Sequence, residues 1–323
     1  MKDFLKFHAA KNGKTAPFEL PRIVAAGVFD GVHPGHREII RKAAERAAEV
    51  HAVVLALSFT PHPRQLLCPG NPPRLLISEN ERIGKLYDAG AQETAFIDFT
   101  PEVAALAPGD FLEELAGNGH FKVAGICVGE HWRFGKCGSG DGQVLANFCR
   151  ELGWTYDGVP ELEYDGEIVS STAIRNAALT GDLEKFRRLA GDDLTLTGVV
   201  EHGFAIAGTK LSAPTANLQC RYGVVPPDGV YAGSAGVDGQ NYPAAVNIGF
   251  APTFNGLQRR IEVHLIGYSG VLYDRELTVK LYRFIRPERR FDSPDELKIQ
   301  IASDIKNVTE QFDLCSGERM GYK

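Results

Sequence analysis

Residues 27–36, Gly-Val-Phe-Asp-Gly-Val-His-Pro-Gly-His, constrain the fold of this chain more than any other segment. An apolar run of strand length, 23–29, leads into this segment, and a strongly helix-forming run, 37–49, follows it. This order predicts a strand, a tight glycine-bearing turn and a helix. The unpaired N–H groups and partial positive charge of a helix N-terminus make such a turn a favourable place for phosphate.

Two histidines in this segment, His33 and His36, lie three residues apart. That spacing can place both imidazoles on one side of the first helical turn. Two imidazoles over a phosphate site suit a reaction in which negative charge develops on phosphoryl oxygens. An isolated pair with this spacing more often caps a helix or lies on a surface. The strand–turn–helix context favours the phosphate site.

Composition places the chain among ordinary globular proteins. A length of 323 residues favours two domains. The hydrophobic residues make up 44% of the chain and the charged residues 24%, which is enough apolar side chain for a sizeable core. The net charge of −6 argues against a nucleic-acid partner. No run is long enough for a signal peptide or a bilayer span, and the six cysteines form no CxxC pair. We therefore expect a cytoplasmic protein with reduced thiols, no membrane association and no zinc site.

The first half of the chain alternates strand-like and helical segments. After the first strand, further strands are predicted at 51–59, 94–98, 122–129 and 154–159, with helices at 37–49, 78–90, 111–116 and 142–152. This rhythm predicts an α/β, Rossmann-like parallel sheet, which binds ligands beyond the carboxyl ends of its strands. The turn carrying His33 and His36, and the loop after Gly129, both fall at that edge.

The second half is rich in short strands. They are predicted at 194–201, 230–237, 242–248, 261–268 and 276–284. Asp238-Gly239 and Ser269-Gly270 are typical of hairpin turns, so we expect a small antiparallel β-barrel. A capping box at Ser293 predicts a closing helix to about Phe312. The pattern changes within a helical stretch, which divides the chain into domains 1–188 and 189–323.

A serine- and threonine-bearing segment precedes another predicted helix. Ser171 and Thr172 can cap that helix, or their hydroxyls can donate to phosphate oxygens. Arg175 lies one turn beyond Ser171 and can reach the same face. For such a segment alone, a plain N-cap is the commoner interpretation.

The segment Pro214-Thr-Ala-Asn217 lies in a region of small residues. Thr215 and Asn217 supply neutral oxygens of the kind that a nucleotide-bound Mg²⁺ accepts beside phosphates and waters. Taken alone, the segment is also typical of an Asx or ST turn.

A third polar pair lies in the predicted strand Ile261-Glu-Val-His-Leu265. Strand alternation puts Glu262 and His264 on one face, opposite the apolar residues. A carboxylate positioned there can act as a base toward an alcohol. A solvated outer face is an equally good interpretation of the same alternation.

Taken together in order and spacing, these segments resemble the prokaryotic bifunctional riboflavin kinase/FMN adenylyltransferase (FAD synthetase) family, from about residue 20 to about 310. The matching motifs of the first half are residues 27–36, Phe59-Thr-Pro-His-Pro63, Val128-Gly129, Arg133-Phe-Gly135, Ser139-Gly-Asp141, Ser170-Ser-Thr172 and Arg175. Those of the second half are Pro214-Thr-Ala-Asn217, Gly229-Val-Tyr231, Asn247-Ile-Gly249, Pro252-Thr-Phe254, Glu262-Val-His264, Leu272-Tyr273, Ile285-Arg286, Glu288, Phe291, Gln300-Ile301 and Asp304.

The resemblance implies two ATP-dependent reactions. In the barrel, Glu262 would act as the base that helps riboflavin attack ATP, with Mg²⁺ held by Thr215 and Asn217. In the first domain, FMN would be adenylylated to FAD, with His33 and His36 stabilising charge on the phosphates. The resemblance assigns nucleotide and phosphate binding to Gly27, Phe29, Asp30, Gly35, Ser171, Thr172 and Arg175. It assigns flavin binding to Pro61, His62, Pro63, Arg133 and Phe134.

Several positions depart from the family pattern. They are Thr60 in place of an acidic residue, His131-Trp132 in place of Asp or Asn followed by Phe, Ala173 in place of a basic residue, Gly208-Thr-Lys-Leu-Ser-Ala213 in place of Gly-Arg-x-Leu-Gly-Phe, and Gly267 in place of Asp. Two further hypotheses therefore stay open beside the bifunctional enzyme. One is an enzyme that retains adenylyl transfer alone, and the other is a weakly catalytic regulatory protein that binds flavin or nucleotide. A different HxGH transferase ranks last because it leaves the barrel motifs without a purpose. An assembly of identical chains is compatible with the sequence.

Overall fold

The computed structural model describes residues 4–9, 16–201, 215–253, 256–289 and 291–320. Two compact units divide the chain. The first comprises Met1–Pro73 and Glu79–Ser170, and the second comprises Arg74–Ser78 and Ser171–Lys323. The domain boundary near residue 188 follows the change in sequence pattern and stays a prediction.

The first unit is built on a six-stranded sheet in the order β1-β4-β3-β2-β5-β6. Its strands are β1 (Phe7–Ala9), β2 (Pro21–Ala26), β3 (Val53–Thr60), β4 (Glu93–Asp98), β5 (Lys122–Gly129) and β6 (Thr155–Val159). Five strands pair in parallel, and β1 pairs with β4 antiparallel. The near-continuous apolar runs of β2 and β3 are buried along almost their whole length, which is typical of central parallel strands. The predicted parallel sheet is confirmed, whereas the edge strand β1 was missed.

Helices follow most of these strands. They are α1 (Pro34–Glu49), α2 (Pro63–Leu67), α3 (Glu79–Asp88), α4 (Pro101–Ala104), α5 (Pro108–Ala116) and α6 (Gly142–Leu152). A 3₁₀ turn spans Lys136–Gly138, and β7 (Glu163–Tyr164) pairs with β8 (Glu167–Ile168). The longest of the helices, α1, buries Ile39, Ile40, Ala43 and Ala47 on one face, as helical periodicity requires.

Strand β2 lies between β3 and β5. From β2 the chain continues to the neighbouring strand β3. From β5 it continues to β6, which lies in the opposite direction along the sheet. The carboxyl ends of β2 and β5 therefore form the point at which the connections diverge, where open α/β sheets bind ligands. The turn after β2 and the loop after Gly129 meet this edge, as the sequence predicts.

The second unit contains a closed antiparallel barrel in the order β10-β13-β12-β11-β14-β9. Its strands are β9 (Leu194–Glu201), β10 (Ala216–Tyr222), β11 (Gly229–Val237), β12 (Gln240–Thr253), β13 (Gly256–Leu265) and β14 (Glu276–Arg286). Helices α7 (Ser171–Thr180) and α8 (Leu183–Ala190) precede it, and α9 (Pro294–Met320) follows it. The predicted barrel is confirmed, with β10 as a strand that the sequence pattern did not reveal.

The two predicted hairpin turns have different outcomes. Val237 pairs with Gln240 across Asp238 and Gly239, whose φ values of 52° and 80° are those of a tight hairpin turn. The prediction of a hairpin at Ser269-Gly270 is wrong. Strand β13, which precedes it, pairs with β10 and β12, while β14 pairs with β11 and β9.

The predicted N-cap of the last helix is present, and its reciprocal hydrogen bond comes from the residue before the N-cap. The Glu296 amide donates to Ser293 Oγ at 3.2 Å, and the Asp292 amide donates to Glu296 Oε2 at 3.1 Å. The helix continues to Met320, beyond the predicted end near Phe312. Within the described ranges, no helix has both the length and the apolar character required to cross a membrane.

Candidate active sites

The turn after β2 has an uncommon backbone. Phe29, Gly31 and Val32 have φ values of 53°, 88° and 43°, and left-handed backbone at a β-branched residue such as Val32 is rare. The Phe29 ring is fully buried, and a Cβ on Gly27 would lie 3.1 Å from it. A strained turn of this kind persists when its surroundings hold it firmly, and it is typical of ligand-binding sites.

The turn brings the two predicted histidines together at the start of α1. His33 lies at the N-cap position, and its ring stacks on that of His36 with centroids 3.6 Å apart and an interplanar angle of 21°. The Phe29 ring meets His36 edge-on at 5.2 Å. A Cβ on Gly35 would lie 3.3 Å from His33 Nδ1, so a glycine leaves room for the stacked pair.

Electrostatics at this helix start favour an anion. Burial and the neighbouring His33 imidazole hold the pKa of His36 well below its usual value, so His36 is neutral near pH 7. Its Nδ1 atom is buried and has no hydrogen-bond partner among the described residues. The first turn of α1 contains no acidic residue to compete with an anion for the helix N–H groups.

The predicted flavin residues after β3 shape the start of a short helix. The Thr60-Pro61 peptide bond is cis. His62 then caps α2, because its Nδ1 accepts a hydrogen bond from the Arg64 amide at 3.1 Å. Pro63 takes the first helical position. The flavin-binding roles of Pro61, His62 and Pro63 stay predictions.

The loop after β5 presents an aromatic pair. Trp132 stacks on Phe134 with ring centroids 5.0 Å apart and an interplanar angle of 13°. Phe134 is buried and also contacts Phe111, whereas Arg133 is exposed and lies 3.5 Å from an Asp141 carboxylate oxygen. Phe134 thus provides a buried ring on which the half-buried Trp132 stacks. The flavin-binding roles of Arg133 and Phe134 stay predictions.

The serine–threonine segment begins α7, as predicted. Ser171 is the first residue of the helix and Thr172 the second. Arg175 Nε donates to the Arg74 carbonyl at 2.8 Å. These residues belong to the second compact unit, and their role in phosphate binding stays a prediction.

In the barrel, three polar residues form a row across adjacent strands. Glu262 on β13 is the register partner of Asn217 on β10 and of Asn247 on β12. Directly opposed residues of an antiparallel pair present their side chains on the same face. The neighbours of Glu262, Ile261 and Val263, are buried, whereas Glu262 and His264 are half-buried. The predicted alternation is confirmed.

The surroundings of Glu262 tune its acidity. Burial raises its pKa, and the Glu288 carboxylate raises it further, while Arg260 and a hydrogen bond from Asn247 lower it. Asn247 Nδ2 also donates to Glu288 Oε1 at 3.3 Å. A Cβ on Gly249 would lie 1.9–2.1 Å from the Glu288 carboxylate, so a larger residue there would displace that carboxylate. A carboxylate whose pKa is raised toward neutrality suits a general base.

An oxygen ligand is available beside this carboxylate. Asn217 Oδ1 is buried without a hydrogen-bond partner among the described residues, and Thr215 lies just before β10. Asn217 therefore lies beside Glu262, and the metal-binding roles of Thr215 and Asn217 stay predictions. The altered segment Gly208-Thr-Lys-Leu-Ser-Ala213 and Pro214 lie outside the described residues.

Three residues at these sites were not assigned a role from the sequence. Asn247 and Glu288 belong to motifs that carry the family resemblance, but only the structure brings them to Glu262: strand register places Asn247 beside it, and a hydrogen bond joins Asn247 to Glu288. Arg82 on α3 contacts the Val28 carbonyl in the turn after β2. No sequence pattern signals that contact, because 54 positions separate the two residues.

Comparison with known proteins covers nearly the whole chain. Residues 17–173 match the family described as FAD synthetase, and residues 190–312 match the family described as riboflavin kinase. A solved structure described as a macrolide-efflux protein from Streptococcus pneumoniae superposes with a TM-score of 0.79 and 28% identity. That similarity covers 93% of this chain and 96% of the other.

Curated relatives bear one common description, bifunctional riboflavin kinase/FMN adenylyltransferase. The protein from Pseudomonas fluorescens is 34% identical over 284 residues, which cover 88% of this chain and 90% of the relative. The protein from Escherichia coli K12 is 33% identical over 293 residues, with 90% and 93% covered. The Bacillus subtilis protein is 32% identical over 298 residues, with 90% and 92% covered. At this identity and coverage, the chain belongs to the bifunctional riboflavin kinase/FMN adenylyltransferase family.

Proposed function

We propose that this chain is an enzyme of flavin cofactor biosynthesis that converts riboflavin to FMN and FMN to FAD, using ATP in both steps. One observation carries the proposal. A single chain holds a stacked histidine pair at a helix N-terminus and, in a separate barrel, a carboxylate flanked by two asparagines. The first arrangement suits transfer of an adenylyl group, and the second suits activation of an alcohol.

In the barrel, Glu262 acts as general base toward the riboflavin 5′-hydroxyl. The hydroxyl oxygen bonds to the γ-phosphorus of ATP, the bond from that phosphorus to the β–γ bridging oxygen breaks, and ADP leaves. The hydroxyl proton passes to the Glu262 carboxylate. The hydrogen bond from Asn247 orients the carboxylate. Burial and Glu288 raise its pKa, which improves its match to the working pH.

The donor set beside Glu262 fits Mg²⁺. Asn217 offers a buried oxygen without a partner among the residues described, and Thr215 offers a hydroxyl two positions earlier. Hard, neutral oxygens of this kind complete the coordination of a cation that also binds phosphates and water. When bound, Mg²⁺ would neutralise negative charge on the ATP phosphates.

In the first unit, a phosphate oxygen of FMN bonds to the α-phosphorus of a second ATP. The bond from that phosphorus to the α–β bridging oxygen breaks, and pyrophosphate leaves. The N–H groups at the start of α1, with His33 and His36, stabilise the charge that develops on the phosphoryl oxygens. A neutral His36 can donate one ring N–H without forming a salt bridge.

The remaining assignments follow the family motifs. Gly27, Phe29, Asp30 and Gly35 shape the phosphate turn, and Ser171, Thr172 and Arg175 bind the triphosphate. Pro61, His62, Pro63, Arg133 and Phe134 form the flavin side of the site. We also expect a cytoplasmic location and no nucleic-acid partner, and self-association into a homo-oligomer is compatible with the sequence.

Chromatography of flavin products tests the proposal. The purified chain is incubated with ATP, Mg²⁺ and either riboflavin or FMN. FAD from both substrates, with FMN as an intermediate from riboflavin, is expected. FAD from FMN alone would favour the adenylyltransferase-only hypothesis and would implicate the altered 208–213 segment. Flavin binding without either product would favour the regulatory hypothesis.

Substitutions separate the two sites. Replacement of both His33 and His36 by Ala should abolish FAD formation from FMN and leave phosphorylation of riboflavin intact. His120→Ala provides a matched control. It removes an exposed imidazole from the same unit, and His120 is remote in sequence from the turn that carries His33 and His36. Equal loss of both activities in the His33/His36 variant would contradict the assigned division of labour.

A further inference from the structure

Arg82 is a buried cation directly behind the phosphate turn. Only 8% of the residue is exposed, although it lies on the short helix α3. Its Nη1 donates to the Val28 carbonyl at 3.1 Å and to Ser58 Oγ at 3.3 Å. Ser58 Oγ itself donates to the same carbonyl at 2.9 Å. Two side chains from different elements thus hold one backbone oxygen.

The held carbonyl belongs to Val28, which immediately precedes Phe29 in the strained turn. Fixing Val28 O fixes the peptide plane that joins Val28 to Phe29, where the backbone turns left-handed. The Phe29 ring meets His36 edge-on at 5.2 Å. A shift of this carbonyl therefore moves the ring that borders the histidine pair.

Among the residues the structure describes, the Arg82 guanidinium forms no hydrogen bond to a carboxylate. Among the described residues its Nε is buried without a hydrogen-bond partner, and its carboxylate neighbour Glu79 is half-exposed and 3.6 Å from Nη2. The guanidinium carbon lies 4.7 Å above the Phe96 ring centroid. Asp30, in the turn itself, also interacts with the guanidinium electrostatically.

Arg22, in the same unit, is a buried arginine whose charge is fully compensated by hydrogen-bond partners. Its guanidinium forms two hydrogen bonds to the Glu93 carboxylate, at 3.0 and 3.1 Å, and donates to four backbone carbonyls. Burial of a charge without such partners is costly, and an apolar side chain of similar size would be cheaper for packing alone. The position of Arg82 thus indicates a role for its charge.

We propose that Arg82 is a positioning residue for FMN adenylylation: it holds the Val28 carbonyl and leaves a positive charge beneath the turn that favours bound polyphosphate. This inference rests on the proposed function of the His33/His36 site. Arg82 acts through the turn and the histidine pair, so its loss should weaken nucleotide binding as well as turnover.

The test is steady-state adenylylation of FMN by the full chain, with ATP varied. Arg82→Met should raise the KM for ATP at least about tenfold, the effect expected for losing a hydrogen bond that involves a charged group. Arg82→Lys should recover much of that loss, because it restores a charge and a donor. The control Arg41→Met removes an exposed arginine from α1, where Glu38 and Glu45 pair with it, and should leave the KM unchanged.

A purely structural role predicts a different result. Partial unfolding lowers the amount of active enzyme, and hence the apparent kcat, but it leaves the KM of the folded molecules unchanged. An unchanged KM in Arg82→Met would therefore overturn the proposal, whatever the kcat. If Arg82→Met does not fold, Arg82→Gln keeps a polar amide at this position without the charge, and the same criterion applies. Retention of FMN adenylylation in His36→Ala would instead refute the proposed site itself.

Discussion

Replacement of Glu262 by Gln tests the chemistry of the barrel with minimal change in shape. Gln has the same number of heavy atoms and retains an oxygen that can accept the hydrogen bond from Asn247. It cannot accept the proton of the riboflavin hydroxyl. Phosphorylation of riboflavin should therefore fall while the barrel keeps its register at Asn217 and Asn247.

The expected loss of rate follows from the role of Glu262 as a general base. General-base catalysis contributes roughly 10²- to 10⁴-fold, and most when the base has a pKa near the working pH. Burial and the Glu288 carboxylate raise the pKa of Glu262 toward that range. We expect Glu262→Gln to lower kcat by about 10³-fold, equivalent to about 4 kcal/mol of transition-state stabilisation. Glu262→Asp withdraws the carboxylate by one methylene and should cost about 10²-fold.

The assay compares two reactions in one preparation. Initial rates of FMN formation from riboflavin report the barrel, and FAD formation from supplied FMN reports the first unit and serves as the internal control. Glu276→Gln removes a carboxylate from an exposed position on β14 and provides the matched variant. Equal loss of both activities in Glu262→Gln, or a kinase rate within about tenfold of the unsubstituted chain, would refute the assignment of the base.

Further predictions concern pH and stability. The kinase requires ionised Glu262, so its kcat/KM declines as the pH falls through the pKa of that group. Asn247→Ala removes a hydrogen bond that lowers this pKa and should move the acid limb of the profile to higher pH. Glu288→Gln removes a charge that raises the pKa and should move the acid limb to lower pH; shifts in the same direction would contradict the described geometry. In the first unit, Glu93→Gln leaves the fully buried Arg22 without a charged partner, and chemical denaturation should show a loss of about 3–5 kcal/mol. A loss below about 1 kcal/mol would mean that backbone carbonyls alone compensate Arg22.

The order of strands and helices could be predicted because its signals are local. Apolar runs in β2 and β3, the glycine-bearing turn after β2 and the Asp238-Gly239 hairpin each depend on a few consecutive residues. Strand β10 was missed although Ala216 and Leu218 alternate with polar residues. The turn-forming Pro214-Thr-Ala-Asn217 pattern masked the start of that strand.

The sequence-based predictions failed where the local structure depends on pairing with strands that are distant in sequence. Ser269-Gly270 has turn chemistry, but the strands on either side of it pair elsewhere in the barrel. The edge strand β1 has only three residues and is defined by its pairing with β4. Neither arrangement leaves a periodic pattern in the chain, because strand pairing is a contact between segments remote in sequence.

The sequence by itself determined the α/β sheet, the barrel, the two histidines at a helix start and the carboxylate on a strand face. Local propensity and the period of the apolar residues suffice for these features. Only the tertiary structure decided that His33 stacks on His36, that Asn217 and Asn247 flank Glu262, and that Arg82 lies behind Val28. Those contacts set the acidity and charge of the sites, since desolvation and Coulomb interactions depend on which distant segments pack together.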